Sequence, residues 1–312
     1  MAAMAFMHYL PNGKVCTIPV MKPAPLDILP ATSVAHALSL LGEHGDQARL
    51  IAGGQSLMPI LAMRLAAPAI LIDINGIADL RGIRLEADGS VLIGALTRHR
   101  DLERSPLLAE RLPLIAAAMP WIAHVQIRNR GTLGGSLSHA DPAAELPALC
   151  IALCATIELH SPRGVRQIAA DDFFQGVFAT ARADDELLTA VRVPATTPAQ
   201  RWAFIELARR HGDFALCGIA LTADCSPTGA VTQARIVVFG VSDCPRRLPH
   251  LESAIVGSAP SPASIDQAMQ SLDTVEARSD HHASSEYRLE LLATLARRAL
   301  RQAFGFDERT AP

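Results

Sequence analysis

The sequence is poor in aromatics: two tryptophans, two tyrosines and nine phenylalanines make up 4% of its 312 residues. Stacking platforms for nucleic-acid bases have little to be built from. A basic block is missing too, since 28 Lys plus Arg against 31 Asp plus Glu give a formal net charge of -3. Nucleic-acid binding therefore has no electrostatic footprint. The six cysteines stand at positions 16, 150, 154, 217, 225 and 244, without a Cys-x-x-Cys pair. That spacing argues against an iron–sulfur cluster or zinc site within the chain. Cys150 and Cys154 lie one helical turn apart and read as small buried apolar residues. No run is long and apolar enough to span a bilayer. The N-terminus lacks the charged start and long apolar core of a secretory signal. The cytoplasm is the expected compartment.

Chemical signatures are also missing. There is no Gly-x-Gly-x-x-Gly after a strand, as a nicotinamide-binding fold would need, and no Gly-Lys-Ser/Thr of a Walker A loop. His8, His99, His124 and His211 have no carboxylate or cysteine at ligand spacing. His281-His282 lies in a polar stretch and reads as a solvated loop. No nucleophile–base pair stands out, so neither a catalytic side chain nor a metal site is expected.

What the chain does have is apolar residues and glycine. Half of it is hydrophobic, ample for buried cores, and its length makes two domains the default. Residues 1–20 show no clear period and are expected to be an extension, disordered rather than packed. Val34, Ala37, Leu38 and Leu41 give a helix with Thr32 or Ser33 as its cap and Gly45 at its end. Arg49–Ala52 reads as a strand, Pro59 permits a helix start, and Ile70–Ile74 reads as a second strand. Together these make a βαβ unit. Asp73 interrupts the second strand and reads as a surface-facing position; Arg64 reads as solvated.

Arg84–Ala95 is a hairpin turning at Asp88-Gly89. Ala143–Ala155 is an apolar helix. Thr156–His160 and Val165–Ala169 form another hairpin, and Asp171–Gly176 is a loop with adjacent aromatics. Beyond the linker-like Ala-Thr-Thr-Pro after Pro194 come three strands, Arg201–Ala208, Phe214–Ala223 and Val231–Val241. Three helices follow: Leu248–Val256, Ser261–Leu272 and Glu286–Phe304. The class is α+β.

Two glycine pairs carry the functional signal. Ala52-Gly53-Gly54-Gln55-Ser56-Leu57 follows the first strand. Gly131-Thr132-Leu133-Gly134-Gly135-Ser136 is followed by His139, Asp141, Pro142 and Glu145. Glycines let backbone N–H groups converge on an anion, and a helix start adds unpaired N–H groups. Each stretch read alone is also consistent with a tight turn. Two of them suit a diphosphate gripped from both sides. Arg128 and Arg130 flank the second stretch, where they would neutralise phosphate or pair with carboxylates of a partner; both readings stand.

The pair of motifs resembles the diphosphate-binding signatures of FAD-binding domains of the p-cresol methylhydroxylase type. More closely, it is similar to the FAD-binding medium subunit of molybdenum hydroxylases, the carbon monoxide dehydrogenase and xanthine dehydrogenase group. The resemblance runs from Met21 to the last helix. It includes Arg209-Arg210-His211-Gly212-Asp213-Phe214-Ala215 and Tyr287-Arg288. It implies an α+β fold in which a two-part FAD-binding domain, residues 21–195, precedes a smaller C-terminal domain, residues 196–312. That second domain would have a three-stranded antiparallel sheet and three helices.

The resemblance implies non-covalent FAD. Ala52, Gly53, Gly54, Gln55, Ser56 and Leu57 would wrap the diphosphate and inner flavin. Thr132, Gly134, Gly135 and Ser136 would take the diphosphate from the other side. His139 and Asp141 would contact the ribityl or adenosine part, and Glu145 would hold the second loop or touch the cofactor. Glu186 and Leu188 would approach the flavin, with Phe173–Phe178 as a gate to its acceptor or, more simply, a cap on the sheet. Where relatives place a cofactor-contacting lysine, this chain has Phe204-Ile205-Glu206. Molybdopterin would sit on a large partner subunit and two-iron two-sulfur clusters on a small one, in a dimer of heterotrimers. Two other functions stay open: a stand-alone FAD oxidase or dehydrogenase, and a non-catalytic nucleotide-binding assembly subunit.

Overall fold

Three parallel strands open the chain's main body, ordered Asp27–Pro30, Ile70–Asp73, Ala48–Ile51. The structure, a computed structural model, describes residues 7–9, 15–17, 21–197 and 199–306. The expectation for residues 1–20 falls mostly outside these; within it, Met7–Tyr9 pairs antiparallel with Val15–Thr17. Helix Val34–His44 makes the first crossover. Ser33 caps it by accepting from the His36 N–H, and Ala37, Leu38 and Leu41 are buried. The expected βαβ unit is the next one, Ala48–Ile51, helix Leu57–Ala62 and Ile70–Asp73, with the first Gly-Gly segment at the C-terminal end of Ala48–Ile51.

A five-stranded antiparallel sheet follows, ordered Ile83–Leu85, Val91–Gly94, Leu187–Val193, Thr156–Ser161, Gly164–Ala169. The helices from His99–Arg104 to Glu145–Ala152 all lie in the connection between Val91–Gly94 and Thr156–Ser161. Glu145–Ala152 is buried along its whole length, so it cannot be a surface helix with one wet face.

Beyond Gln200, a four-stranded antiparallel sheet runs Arg201–Ala208, Ala215–Cys225, Val231–Phe239, Arg246–Arg247. The three long strands match expectation, and the two-residue fourth strand adds to it by pairing with Val237 and Val238. One face of this sheet packs on helices Pro249–Ile255, Pro262–Ala268 and Ser285–Ala303 around Ala203, Ile219, Ile236 and Leu292. The other face joins the core of the five-stranded sheet through Phe204, Ala220, Val237 and Phe239. Helix Glu145–Ala152 is sealed against it at both ends. The Gly240 N–H donates to the Pro142 carbonyl at 2.8 Å, and Thr222 Oγ1 donates to the Ala152 carbonyl at 2.8 Å.

Three expectations change. Asp171–Gly176 is not a plain loop: Ala170–Phe173 is a helical turn, and Phe174–Gly176 pairs with Ala179–Thr180. Phe173 and Phe174 are buried in the core, edge to face at 5.1 Å, which favours the cap over the gate. Cys150 is buried as expected, but Cys154 is exposed, beside Arg235 Nη1 at 3.0 Å.

Candidate functional site

The first glycine segment follows a strand of the three-stranded sheet, the second opens helix Leu133–His139 in the connection across the five-stranded sheet, and the two touch. A Cβ on Gly53 would lie 2.3 Å from the Arg130 carbonyl oxygen and 3.0 Å from Gly131 Cα. Only glycine permits that approach. Gly131 is held against the His99 ring, and a Cβ on Gly134 would meet Ala95 Cβ at 2.6 Å.

Hydrogen bonds reinforce the junction. Asp73 accepts from the Asn75 backbone N–H at 2.9 Å and side chain at 2.7 Å, and Asn75 donates to the Ala52 carbonyl at 2.7 Å. Arg98 Nη2 donates to Asn75 Oδ1 at 2.7 Å while Nη1 donates to the Arg130 carbonyl. A chain of three polar side chains thus ties one segment to the other. Asp73 is therefore no idle surface position; it aims Asn75.

The segments differ in what they offer a ligand. Among the described residues, no hydrogen bond takes the N–H of Gly54, Gln55 or Ser56. Gly54 has φ +73, and Met58 closes the turn onto its carbonyl at 3.0 Å. The second segment is itself a helix start. Thr132 caps helix Leu133–His139, accepting from the Gly135 N–H at 3.1 Å. The Gly134 N–H donates to the Ala95 carbonyl and the Ser136 N–H to the Thr132 carbonyl. This segment therefore presents hydroxyls and closeness of approach rather than a row of free N–H groups.

One cavity of about 610 Å³ lies between them. Ala52, Gly53, Gly54, Gln55, Ser56 and Leu57 line it, as do Thr132, Gly134, Gly135, Ser136, His139, Asp141, Glu145 and Leu188. Glu186 does not. Its buried carboxylate pairs with Arg166 at 2.6 Å and accepts the Ala183 N–H at 2.7 Å. Arg128 also faces away and settles its two readings against both. It is buried, paired to Glu103 at 3.1 Å and donating to the Ile122 and Ala123 carbonyls. His139 stacks on Phe178 at 4.8 Å.

The sequence reading missed several lining residues: His99, Arg182 and Phe214. His99 is buried and neither ring nitrogen has a hydrogen-bond partner. Burial pushes its imidazole down to about 4, so it is neutral at pH 7. A lone histidine carries no spacing signal, so nothing local could have flagged it. Phe214 is 64% exposed at the corner before Ala215–Cys225.

The electrostatics are unusual at one point. Burial pushes the Glu145 carboxyl up to about 7, with Asp141 adding to it. Burial and the neighbouring Glu145 push Glu206 up to about 8. Both Glu206 carboxyl oxygens lack a partner. No group of three or more His, Cys, Asp or Glu suitable for a metal ion exists among the described residues, and none of their helices is long and apolar enough to cross a membrane.

An extended, phosphate-bearing, partly apolar cofactor fits this place. The first segment has free N–H groups at a glycine cradle, His99 has unpartnered nitrogens, and Leu188, Ile60 and Leu96 line the apolar remainder.

Comparison with known proteins agrees. The family described as the FAD binding domain in molybdopterin dehydrogenase matches residues 24–196, and the CO dehydrogenase flavoprotein C-terminal domain matches residues 202–303. The chain is 41% identical to the 6-hydroxypseudooxynicotine dehydrogenase complex subunit alpha of Paenarthrobacter nicotinovorans, over 91% of this chain and 96% of that one. It is 37% identical to the carbon monoxide dehydrogenase medium chain of Hydrogenophaga pseudoflava, over 87% and 94% respectively. A solved structure of carbon monoxide dehydrogenase from the same organism superposes with a TM-score of 0.87 at 37% identity, covering 91% of this chain and 99% of that one. The chain belongs to the FAD-binding medium subunits of the molybdenum hydroxylases, the electron-transfer flavoproteins that work beside a large and a small partner subunit.

Proposed function

We propose that FAD lies across the two glycine segments, its diphosphate on the free N–H groups of Gly54, Gln55 and Ser56. The carrying observation is the contact of Gly53 with the Arg130 carbonyl, which joins a segment at a strand's end to one at a helix start, both lining one cavity. Thr132 and Ser136 offer hydroxyls from the opposite side, and Gly134 and Gly135 keep Cβ atoms out of the way. His139 and Asp141 line the far wall for the ribityl or adenosine part, and Leu57 and Leu188 supply apolar contact. FAD supplies an acceptor that takes two electrons and passes them on. The protein's part is to hold, orient and tune it.

The division at 195/196, the cytoplasmic compartment and a dimer of heterotrimers complete this proposal. Electrons would enter from an iron–sulfur partner rather than from a substrate of this chain. His99, neutral in its buried place, is a hydrogen-bonding group here, not a substrate base. The FAD-loaded full chain, kept free of oxygen, is expected to stay yellow with small alcohols, amines or N-heterocycles. It should bleach when the reduced iron–sulfur subunit is added. Bleaching by a small molecule alone would instead establish a self-sufficient oxidase or dehydrogenase.

A further inference from the structure

We propose that Glu145 and Glu206 form one buried carboxyl pair that keeps a proton at neutral pH and links it to FAD binding. The pair bridges the two halves of the molecule. Trp202, Phe204 and Glu206 alternate onto the sheet face that meets the FAD side, where Trp202 and Phe204 join the core containing helix Glu145–Ala152. Ala203 and Ile205 point the other way, into the C-terminal core. Glu206 stands opposite Gly218 in register, and a Cβ on Gly218 would lie 2.1 Å from the Phe239 ring. The wall beside Glu206 is therefore aromatic, and Phe239 stacks on Phe204 at 5.9 Å. Glu145, the first residue of its helix, lines the FAD cavity.

No cation compensates this pair. Glu145 is the charged side chain that acts on Glu206, and Asp141 the one that acts on Glu145. Helix Glu145–Ala152 carries no other charge. Preceding it, His139 faces Asp141, and burial lowers its proton affinity. On the sheet face opposite, Gly218, Ala220 and Thr222 are uncharged. Two carboxylates cannot both ionise here without leaving an uncompensated buried charge. The pair resolves this by holding a proton, so one member can donate a hydrogen bond where a carboxylate only accepts.

The linkage to FAD, which rests on the proposed site, has a definite sign. Filling the cavity strips remaining water from Glu145 and brings in an anionic diphosphate. Both changes favour the protonated pair, so the loaded site holds its proton more tightly than the empty one. FAD affinity should therefore fall as pH rises through the titration of the empty site, by up to about tenfold per pH unit for one linked proton.

The test titrates FAD into the full chain freed of cofactor, by calorimetry in buffers of different ionisation enthalpy. At pH 7.5 the wild type should take up a fraction of a proton per FAD. Its dissociation constant should rise about tenfold from pH 7 to 9. Glu206→Gln keeps shape, removes one acid and offers Glu145 a donor, which favours the ionised form of Glu145. Its proton uptake and the pH dependence of its affinity should both be clearly smaller than those of the wild type. This variant should unfold thermally at or above the wild-type midpoint at pH 9, because a neutral isostere replaces a group that dislikes charge. FAD binding without proton uptake in the wild type, an unchanged slope in Glu206→Gln, or failure of that variant to fold each overturns the pair while leaving the FAD site standing. A chain that binds no FAD overturns both.

Discussion

A chain carrying Gly53→Val is expected to fold and to lose FAD affinity by about 100-fold or more, the order of loss that a misplacement near 1 Å brings to a positioned site. The reason is the contact at the heart of the cavity. A Cβ there would stand 2.3 Å from the Arg130 carbonyl oxygen and 2.9 Å from its carbon. These are backbone atoms, and the Arg130 carbonyl is already engaged by Arg98. The side chain cannot rotate away from them, so the first segment must retreat from the second. The cores do not depend on this contact: Gly53 belongs to none of the three apolar clusters. Circular dichroism should stay near wild type while the yellow colour is lost. Gly176→Ala is the control, since a Cβ there would meet nothing nearer than Asp243 Oδ2 at 3.8 Å and Gly176 does not line the cavity. It should fold and bind FAD normally.

Arg288→Met should produce the largest loss of stability, about 3–5 kcal/mol, the usual result of leaving buried partners of a charge unpaired. Arg288 is 1% exposed at the start of helix Ser285–Ala303. It donates to the Leu216 and Gly240 carbonyls at 2.6 Å each and to Asp280 at 2.7 Å. Methionine fills much of the volume and can donate to none of them. Gly240 also donates to Pro142, so the loss reaches the contact between the C-terminal sheet and the segment leading into helix Glu145–Ala152. The midpoint of thermal unfolding should drop by on the order of 10 °C.

The gap should depend on pH. Against the pull of its own burial, the His282 and Ala283 N–H groups and the Arg288 guanidinium hold the Asp280 carboxyl down at about 2, below its ordinary 3.8. A depressed acid contributes its stability above the unfolded value and loses it as pH falls through the folded one. The difference between variant and wild type should therefore narrow between about pH 4 and pH 2. An unchanged difference across that range would mean that Asp280 is not part of the interaction.

These two positions show how unevenly the structure was written into the sequence. The strand Arg201–Ala208 is bounded as its alternation predicts, because one face meets each core. The next strand begins at Ala215, one residue later than its pattern suggests, since exposed Phe214 belongs to the corner. Arg246–Arg247 carries no period at all; it is a strand only because Val237 and Val238 pair with it. Gly134 and Gly135 read as loop residues, yet they form the first turn of a helix behind the Thr132 cap. Their low helix propensity is outweighed by the need to pack against Ala95 and the Thr132 hydroxyl.

The same division holds at the cavity. Motif residues were legible because two glycine segments beside hydroxyls suit a diphosphate together and resemble a known FAD-binding pair, though each alone reads equally as a turn. Asn75, Arg98 and His99 were not, because each works through contacts set by tertiary placement: 23 residues from Asn75 to Ala52, and 32 from Arg98 to Arg130. Glu186 went astray for the opposite reason. Its position in the chain is near the cavity residues Asp185 and Leu187, but just before strand Leu187–Val193 its carboxylate is held away by Arg166 and the Ala183 N–H. Glu206 read only as a departure from a lysine pattern, and its burial makes it half of an acid pair.

The central claim is that two glycine segments make one FAD site, and the visible absorption spectrum of the purified full chain tests it most directly. Mass analysis of the material released by heat completes the measurement. The account predicts a yellow protein that yields intact FAD in a ratio near one per chain, with the colour absent from Gly53→Val. A colourless wild-type chain that takes up no added FAD would contradict it and leave the glycine segments as turns that bring two sheets together.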